Sequence, residues 1–185
     1  MKRMSRIQAQ TGLTLVELMI TLAVLAVVLT TSVPSFARLQ VNYQLRSCAH
    51  RLVAAINLAR MEAVQRRLPV SLCPSFAGSH CAGNFSQGWL LFNDADRDRQ
   101  LDSGDEEIIF RGVGLPEGYT VTDRSGSSPA TEAISYRPDG TARRNQTLLL
   151  CAPVGQGVEP YTIVLSRVGR VRLARGEGLC PGAQG

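Results

Sequence analysis

Residues 12–34 read GLTLVELMITLAVLAVVLTTSVP, and the 21 residues between the glycine and the proline carry one formal charge, at Glu17. About 20 apolar residues in an α-helix span the hydrocarbon core of a bilayer, because each residue rises about 1.5 Å. The preceding segment, 1–12, holds three basic residues and no acid, a pattern that keeps an N-terminus on the cytoplasmic side. An ordinary signal peptide has a shorter apolar region, and a carboxylate within that region is costly. We therefore expect residues 13–33 to form a single membrane-spanning segment.

The string TGLTLVELMI, residues 11–20, resembles the prepilin motif of type IV pilins and type II secretion pseudopilins. The resemblance implies that residues 1–12 are a leader, which a prepilin peptidase removes by cutting after Gly12. It also implies that the new N-terminus, Leu13, is methylated, and that Pro34 is the proline at which many pilin helices kink. Leu13 departs from the motif, in which phenylalanine is usual. The implied fold is α+β, with a long N-terminal helix packed on an antiparallel β-sheet domain.

Glu17 is the acid of this motif. A carboxylate in an apolar helix needs a partner, and the free amine at Leu13 is the obvious one. The resemblance implies that this amine belongs to a neighbouring pilin, so that Glu17 sets the register of fibre assembly. The alternative is a carboxylate stabilised by the positive N-terminal end of its own helix.

Residues 34–67 are predicted to continue the helix as an amphipathic second half. Apolar residues recur there at helical spacing, and Pro69 disfavours helix at Leu68, so the helix is expected to end near Arg67. The string NLARMEAVQRRLPVSLC, residues 57–73, resembles the helix end and first strand of the GspH/FimT group of pseudopilins and minor pilins.

Residues 68–185 are predicted to form one globular β domain. Short apolar runs alternate with glycine and proline turns, which favours one or two antiparallel sheets against the helix. The eight predicted strands are Val70–Cys73, Trp89–Asn93, Glu107–Phe110, Tyr119–Thr122, Ile134–Arg137, Thr147–Cys151, Tyr161–Ser166 and Arg170–Ala174.

The chain has five cysteines and no C-x-x-C spacing, which favours disulfides over zinc in an oxidising compartment. Connectivity cannot be derived from spacing. Pairing of nearest neighbours gives Cys73 with Cys81 and Cys151 with Cys180. Cys48 then remains as a buried free thiol, because it lies at an apolar position of the helix.

Residues 94–107, DADRDRQLDSGDEE, contain seven acids and two arginines. The start resembles a calcium-binding loop with alternating oxygen ligands, but Arg99 stands where the turn glycine belongs. A solvated acidic hairpin is the expected structure, and calcium binding is the alternative. No cofactor or metal site is predicted.

The segment 161–175, YTIVLSRVGRVRLAR, contains four arginines and no acid. Arg170 and Arg172 are expected to share one exposed face of a strand while Val171 faces the core. Guanidinium groups on one face suit phosphate oxygens. The string Gly169-Arg170-Val171-Arg172 resembles the G-R-x-R motif of FimT-like minor pilins, which implies DNA binding for uptake in natural transformation. The candidate DNA-binding residues are Gly169, Arg170, Arg172, Arg167, Arg175, Arg143 and Arg144.

Two observations limit this DNA-binding prediction. The motif covers four residues, and FimU-like minor pilins share a similar C-terminal strand. The net charge is +5, but without residues 1–12 it is +2, so global charge is no argument for nucleic acid. The alternative is a solvated basic hairpin, or arginines paired with the acidic loop of a neighbouring subunit.

The predicted function is that of a minor type IV pilin that binds DNA, held in the inner membrane with a periplasmic domain before it enters the pilus at the cell surface. Its predicted partners are other pilins, the prepilin peptidase and DNA. Two alternatives remain: a structural minor pilin that primes assembly, and a GspH-type pseudopilin of a type II secretion system. An enzyme is not expected, because neither His50 nor His80 has a readable catalytic partner.

Overall fold

A computed structural model describes residues 14–102 and 106–181; for residues 31–35 it describes the backbone and not the side chains. The chain divides into two compact units, Met1–Ala37 and Arg38–Gly185, and one helix, α1 (Leu15–Arg66), contributes to both. The predicted processing residues Gly12 and Leu13 lie outside the described residues, and so does the side chain of Pro34.

The first unit contains the N-terminal part of α1. The Thr14 hydroxyl accepts a hydrogen bond from the Glu17 backbone N–H at 3.3 Å, so Thr14 caps the helix. Glu17 and the described apolar side chains of this unit are exposed. Within the described residues, no helix is both long enough and apolar enough to cross a membrane.

The second unit begins with the remainder of α1, most of whose apolar stripe is buried, while Val41 is partly buried. The helix ends at Arg66, one residue before the predicted end, and Arg67 has a φ of 57°. A residue in this left-handed conformation commonly follows a helix. The residues of α1 buried in the core are Leu45, Cys48, Ala49, Leu52, Ala55, Ile56, Ala59 and Ala63.

The predicted antiparallel β domain consists of two four-stranded sheets. The first sheet has the order β3-β2-β1-β5, and the second has the order β4-β6-β7-β8. Every pairing between named strands is antiparallel. All eight predicted strands are present, with bounds that shift by a few residues: β1 Val70–Pro74, β2 Gly88–Asn93, β3 Ile108–Val113, β4 Thr120–Thr122, β5 Ile134–Tyr136, β6 Gln146–Cys151, β7 Tyr161–Leu165 and β8 Val171–Arg175.

The core of the second unit contains α1 together with one face of each sheet. In the second sheet, Leu148, Leu150 and Ile163 belong to this core. Because side chains alternate along a strand, Leu149 points to the outer face. Leu149 is nevertheless only 1% exposed, since the segment after β8 lies over it.

Two disulfides stabilise the second unit, and they are the two pairs that the sequence analysis expects. Cys73 is bonded to Cys81, which closes a loop after β1, and Cys151 is bonded to Cys180, which ties the C-terminal segment to β6. Cys48 is a buried free cysteine on α1. The second disulfide places the C-terminal segment on the outer face of the second sheet, where it borders the candidate site.

Candidate functional site

A tight turn between β7 and β8 carries the G-R-x-R string. The Ser166 N–H donates to the carbonyl oxygen of Arg170 at 3.0 Å, and the Gly169 N–H donates to that of Ser166 at 2.9 Å. Gly169 has a φ of 81°, which glycine adopts without steric cost. Arg170 therefore lies in the turn, and β8 begins at Val171. The predicted strand Arg170–Ala174 therefore begins one residue later than expected. Arg170 and Arg172 are both exposed, and Val171 between them packs against the core, as the alternation predicts.

The turn is packed closely against its surroundings. A Cβ atom at Gly169 would lie 2.1 Å from the carbonyl oxygen of Gly140 and 2.9 Å from Nε of Arg60. Arg60, on α1, donates to the carbonyl oxygen of Val168 at 3.3 Å. The buried Tyr136 hydroxyl donates to the carbonyl oxygen of Gly169 at 3.4 Å. Gly169 is thus required by both its backbone conformation and this close approach.

Arg60 is a structural partner of the turn that the sequence analysis missed. Its position on α1 predicts that the side chain lies on the polar face of the helix. The sequence around Arg60 does not indicate a contact with Val168, which lies 108 positions away. Only the folded chain brings the guanidinium group to the turn.

Three of the predicted DNA-binding arginines, Arg143, Arg167 and Arg170, lie at or beside the turn between β7 and β8. The Ala142 N–H donates to the carbonyl oxygen of Arg167, and the Arg167 N–H donates to Oδ1 of Asn145, so the loop carrying Arg143 runs beside the turn. The Arg143 guanidinium donates to the carbonyl oxygen of Arg97 at 3.1 Å. Among the described residues, the side chains of Arg167 and Arg170 make no hydrogen bond or ion pair, and both residues are exposed.

The other three predicted arginines form ion pairs within the chain. Arg172 contacts Glu177 through two hydrogen bonds of 3.0 and 2.9 Å, a bidentate geometry. The remaining pairs are Arg175 with Glu159 at 3.1 Å and Arg144 with Glu132 at 2.6 Å.

The pairing between Arg172 and Glu177 shifts the pKa values of both groups. The hydrogen bonds from Arg172 lower the pKa of the Glu177 carboxyl below its ordinary value, and the same contacts raise the pKa of Arg172. Glu177 therefore stays ionised to a lower pH than a carboxyl group without this partner. The sequence analysis considered acids of a neighbour's 94–107 loop as partners, whereas these acids lie elsewhere in the same chain. Glu177 lies five residues after Arg172, a spacing that could have suggested the pair.

The acidic segment 94–107 follows β2. Asp94 is 1% exposed and accepts hydrogen bonds from the Ser71 hydroxyl and the Arg99 N–H. Carboxylate oxygens of Asp94, Asp96 and Glu106 lie within 4.8 Å of one another. Burial, and to a smaller extent the charges of Asp94 and Asp96, raise the pKa of Glu106.

The loop also uses its carboxylates as acceptors for its own backbone. Glu106 accepts from the N–H groups of Ala95 and Asp102, and Asp96 accepts from that of Asp98. These bonds order the described residues of the loop, and they are compatible with both the solvated hairpin and the calcium alternative.

Residues 49–169 match the family model described as Type II transport protein GspH. The chain belongs to the GspH family. Residues 7–33 of this GspH-family chain also match the prokaryotic N-terminal methylation motif, which contains Gly12, Leu13 and Glu17. The resemblance to the GspH/FimT group is therefore confirmed.

Individual relatives agree with this assignment. The pilin-like protein PilA1 of Thermus thermophilus is 28% identical over 88% of this chain and 97% of its own length. The type IV minor pilin FimU of Pseudomonas aeruginosa has a TM-score of 0.54 at 22% identity, over 71% of this chain and 89% of that one. The minor pseudopilin EpsH of Vibrio cholerae has a TM-score of 0.50 at 14% identity, over 71% and 97%. The fold is pilin-like, and the GspH-family chain is a minor type IV pilin or a GspH-type pseudopilin.

Proposed function

We propose that this chain is a minor type IV pilin that binds DNA non-specifically through its β7–β8 turn, for uptake in natural transformation. The observation that supports the proposal is the placement of Arg167 and Arg170. Both guanidinium groups are exposed without a partner among the described residues, at a turn whose backbone is held by Arg60 and Tyr136.

The arrangement suits phosphates more than bases. Arg167, Arg170 and Arg143 offer charge and planar hydrogen-bond donors, which contact the DNA backbone without reading sequence. Two to four such contacts give a slope of log affinity against log salt of roughly −2 to −4, with dissociation constants about micromolar at physiological salt.

The ion pairs of Arg172, Arg175 and Arg144 are compatible with this proposal. Arg172 and Arg175 are exposed and Arg144 is half-buried, and ion pairs near the surface contribute little to stability. A phosphate of DNA can therefore replace a carboxylate at small cost. The free turn arginines make the first contact, and the paired arginines add to it.

The N-terminal part of the proposal concerns anchoring and assembly. We infer that a prepilin peptidase cuts between Gly12 and Leu13, that 13–33 holds the chain in the inner membrane, and that Glu17 pairs with the amine of a neighbouring pilin in the fibre. The match of 7–33 to the methylation motif supports this part. Replacing Glu17 with Ala is expected to abolish incorporation into pili, measured by immunoblotting of sheared pili; unchanged incorporation rules out the assembly role.

The second candidate function is a structural pilin or pseudopilin that binds no DNA. The observation that favours it is the saturation of Arg144, Arg172 and Arg175 by acids of the same chain. In that case the basic turn contacts another subunit.

The test is a DNA titration of the full chain in non-ionic detergent, with fluorescent duplex followed by anisotropy at low and high salt. The Arg170→Gln/Arg172→Gln variant is expected to lose most of the salt-sensitive binding. The matched control is Arg38→Gln/Arg46→Gln, which removes the same charge from exposed helix positions and is expected to bind as wild type. Absence of binding by a folded wild-type protein, or equal losses in both variants, contradicts the proposal.

A further inference from the structure

A groove of about 390 Å³ lies on the outer face of the second sheet. Thr147 and Leu149 of β6 and Thr162 of β7 line it, together with Arg124, Arg172 and Glu177. Arg124 follows β4 and Arg172 lies on β8, and these two strands are the edges of the sheet. The groove therefore extends between the two edges of the sheet, on the face opposite α1.

The C-terminal segment 176–180 is fastened over this face at several points. The Gly176 N–H donates to the carbonyl oxygen of Pro160 at 2.9 Å, and the Thr162 hydroxyl donates to that of Glu177. The disulfide between Cys180 and Cys151 attaches the C-terminal end of this segment to β6. These contacts place the backbone of Glu177 next to β8, so its carboxylate meets Arg172 in the folded chain.

Glu177 occupies the position in which Arg172 would hold a phosphate. Its two carboxylate oxygens accept one hydrogen bond each from the two terminal nitrogens of the guanidinium group. Phosphate oxygens are recognised by the same fork of donors. A phosphodiester can therefore bind Arg172 in this manner only after Glu177 has turned away.

Arg124 is a second guanidinium group at this groove, and the sequence analysis did not single it out. The residue is exposed, and among the described residues its side chain makes no hydrogen bond or ion pair. Its loop is nevertheless ordered, because Asp123 accepts hydrogen bonds from the N–H and the hydroxyl of Ser125 and from the N–H of Ser128.

The spacing of the strands suggests a ligand longer than a single anion. Three inter-strand steps separate β4 from β8, which corresponds to about 14 Å. Arginines on the two edge regions therefore suit two non-adjacent phosphates of one nucleic-acid strand.

We propose that this groove binds the phosphodiester backbone of DNA, with Arg124 as a further phosphate ligand and Glu177 as an internal competitor that holds Arg172 until a phosphate displaces it. The inference rests on the proposed DNA-binding function and adds a regulatory step to it. The turn arginines bind first, and the groove is occupied when Glu177 gives way.

The first test measures duplex DNA affinity of the full chain in non-ionic detergent. Glu177→Gln keeps the shape of the side chain and removes its charge, so affinity is expected to rise about two- to fivefold, in line with the small strength of an exposed ion pair. The slope of log affinity against log salt is expected to steepen by about one, because the displaced Glu177 carboxylate of the wild type takes up a cation on binding and the neutral glutamine does not. Arg124→Gln is expected to weaken binding about two- to fivefold.

Two controls separate the groove from net charge. Glu117→Gln removes an exposed acid that makes no hydrogen bond or ion pair among the described residues, and it is expected to leave the affinity near that of wild type. In the Arg172→Gln background, Glu177→Gln is expected to have no effect beyond that of Glu117→Gln. A gain of affinity by Glu177→Gln that persists without Arg172 contradicts the competitor role.

The second test does not depend on DNA. Phenylglyoxal labels free guanidinium groups, and peptide mass spectrometry compares Arg172 with Arg170 as an internal reference. Arg172 is expected to react more slowly than Arg170 in the wild type and at a similar rate in Glu177→Gln. Pyrophosphate is expected to protect Arg172 and Arg124 from labelling in Glu177→Gln.

The two tests distinguish the failure of this inference from the failure of the proposed function. Protection by pyrophosphate without DNA binding by any variant overturns the DNA function and leaves a phosphate-binding groove. DNA binding by the wild type that neither Glu177→Gln nor Arg124→Gln alters, with no protection by pyrophosphate, overturns the groove and leaves the turn as the DNA site. Absence of both DNA binding and protection overturns both.

Discussion

The hydroxyl of Tyr136 donates a hydrogen bond to the carbonyl oxygen of Gly169, at a distance of 3.4 Å. Tyr136 is on β5 of the first sheet, and Gly169 is in the turn between two strands of the second sheet, so this contact joins the two sheets. Burial raises the pKa of Tyr136 to about 12. The candidate DNA-binding turn therefore accepts a hydrogen bond from a buried phenol that remains protonated throughout the physiological pH range.

Replacing Gly169 with Ala is expected to destabilise the second unit and to weaken DNA binding. The left-handed backbone of alanine costs about 1 kcal/mol. The Cβ atom, 2.1 Å from the Gly140 oxygen, adds a further cost of about 1–3 kcal/mol because neighbouring atoms must shift. Denaturant unfolding of the full chain in detergent, followed by far-ultraviolet circular dichroism, measures the total.

The matched control for that experiment is Gly155→Ala. Gly155 has a φ of 84°, similar to that of Gly169, but a Cβ atom there meets nothing within 4 Å. This variant is expected to lose only the backbone contribution of about 1 kcal/mol. Equal losses in the two variants would show that the close approach to Gly140 has no energetic effect.

Tyr136→Phe is expected to destabilise the protein by about 1 kcal/mol at neutral pH, because the buried carbonyl of Gly169 loses a hydrogen-bond donor. The wild type also carries a pH dependence that this variant lacks. Since the folded pKa of about 12 exceeds the ordinary value of 10.0, the contribution of Tyr136 is fully present below pH 10 and is lost as the pH rises towards 12. Unfolding curves between pH 8 and 12, compared for the two proteins, should converge; a constant difference would contradict the assignment.

Asp123 is expected to stabilise the loop that carries Arg124 in a pH-dependent manner. Hydrogen bonds, chiefly from the Ser125 hydroxyl, lower the pKa of Asp123 below its ordinary value of 3.8. A lowered carboxyl pKa contributes stability that is present above the unfolded pKa and is lost as the pH falls through the folded one. Asp123→Asn keeps an acceptor but has no charge.

Thermal unfolding from neutral pH to about pH 2 measures this contribution of Asp123. The wild type is expected to be the more stable protein at neutral pH, and the difference from Asp123→Asn should shrink on acidification. Ser125→Ala is the companion variant, because it removes the hydroxyl donor and leaves the charge. A difference between wild type and Asp123→Asn that grows at low pH would rule out this role.

The two disulfides are expected to contribute unequally to stability. Cys151 and Cys180 are 29 residues apart, whereas Cys73 and Cys81 are 8 apart. Because the longer loop has more entropy to lose in the unfolded chain, replacing Cys151 and Cys180 with alanine should cost about 3.5 kcal/mol and replacing the other pair about 2.5 kcal/mol. Denaturant unfolding of the two double variants measures the loss of stability in each. A larger loss without the Cys73–Cys81 bond would show that local contacts outweigh the entropy of the loops.

Much of the fold could be predicted from local patterns. The apolar stripe of α1 identifies its buried face, and glycine and proline residues separate eight strands that the structure contains with small shifts in their bounds. The division of these strands between two sheets could not be predicted, because strand order depends on contacts between distant segments. The start of β8 was misplaced by one residue, since the bond between Ser166 and Arg170 extends the turn.

The candidate site was predictable in part. The alternation of β8 predicted that Val171 faces the core and that Arg172 faces outward, and the structure agrees. The chain pattern could not reveal that Arg172 is paired, because a carboxylate becomes a partner only when folding brings it within a few ångströms. Arg124 was also outside the prediction, since its place beside the groove follows from the packing of the second sheet.

The sequence by itself determined the periodic and punctuated features of this protein: a basic segment before an apolar run, one amphipathic helix, short strands between turns, and cysteines close enough for nearest neighbours to pair. These features depend on residues a few positions apart, and the chain displays them directly. Only the tertiary structure decided that Gly169 sits against Gly140, that Arg60 supports the turn and that Glu177 holds Arg172. Those relationships depend on distances between side chains and backbone that are set when the helix and two sheets pack together.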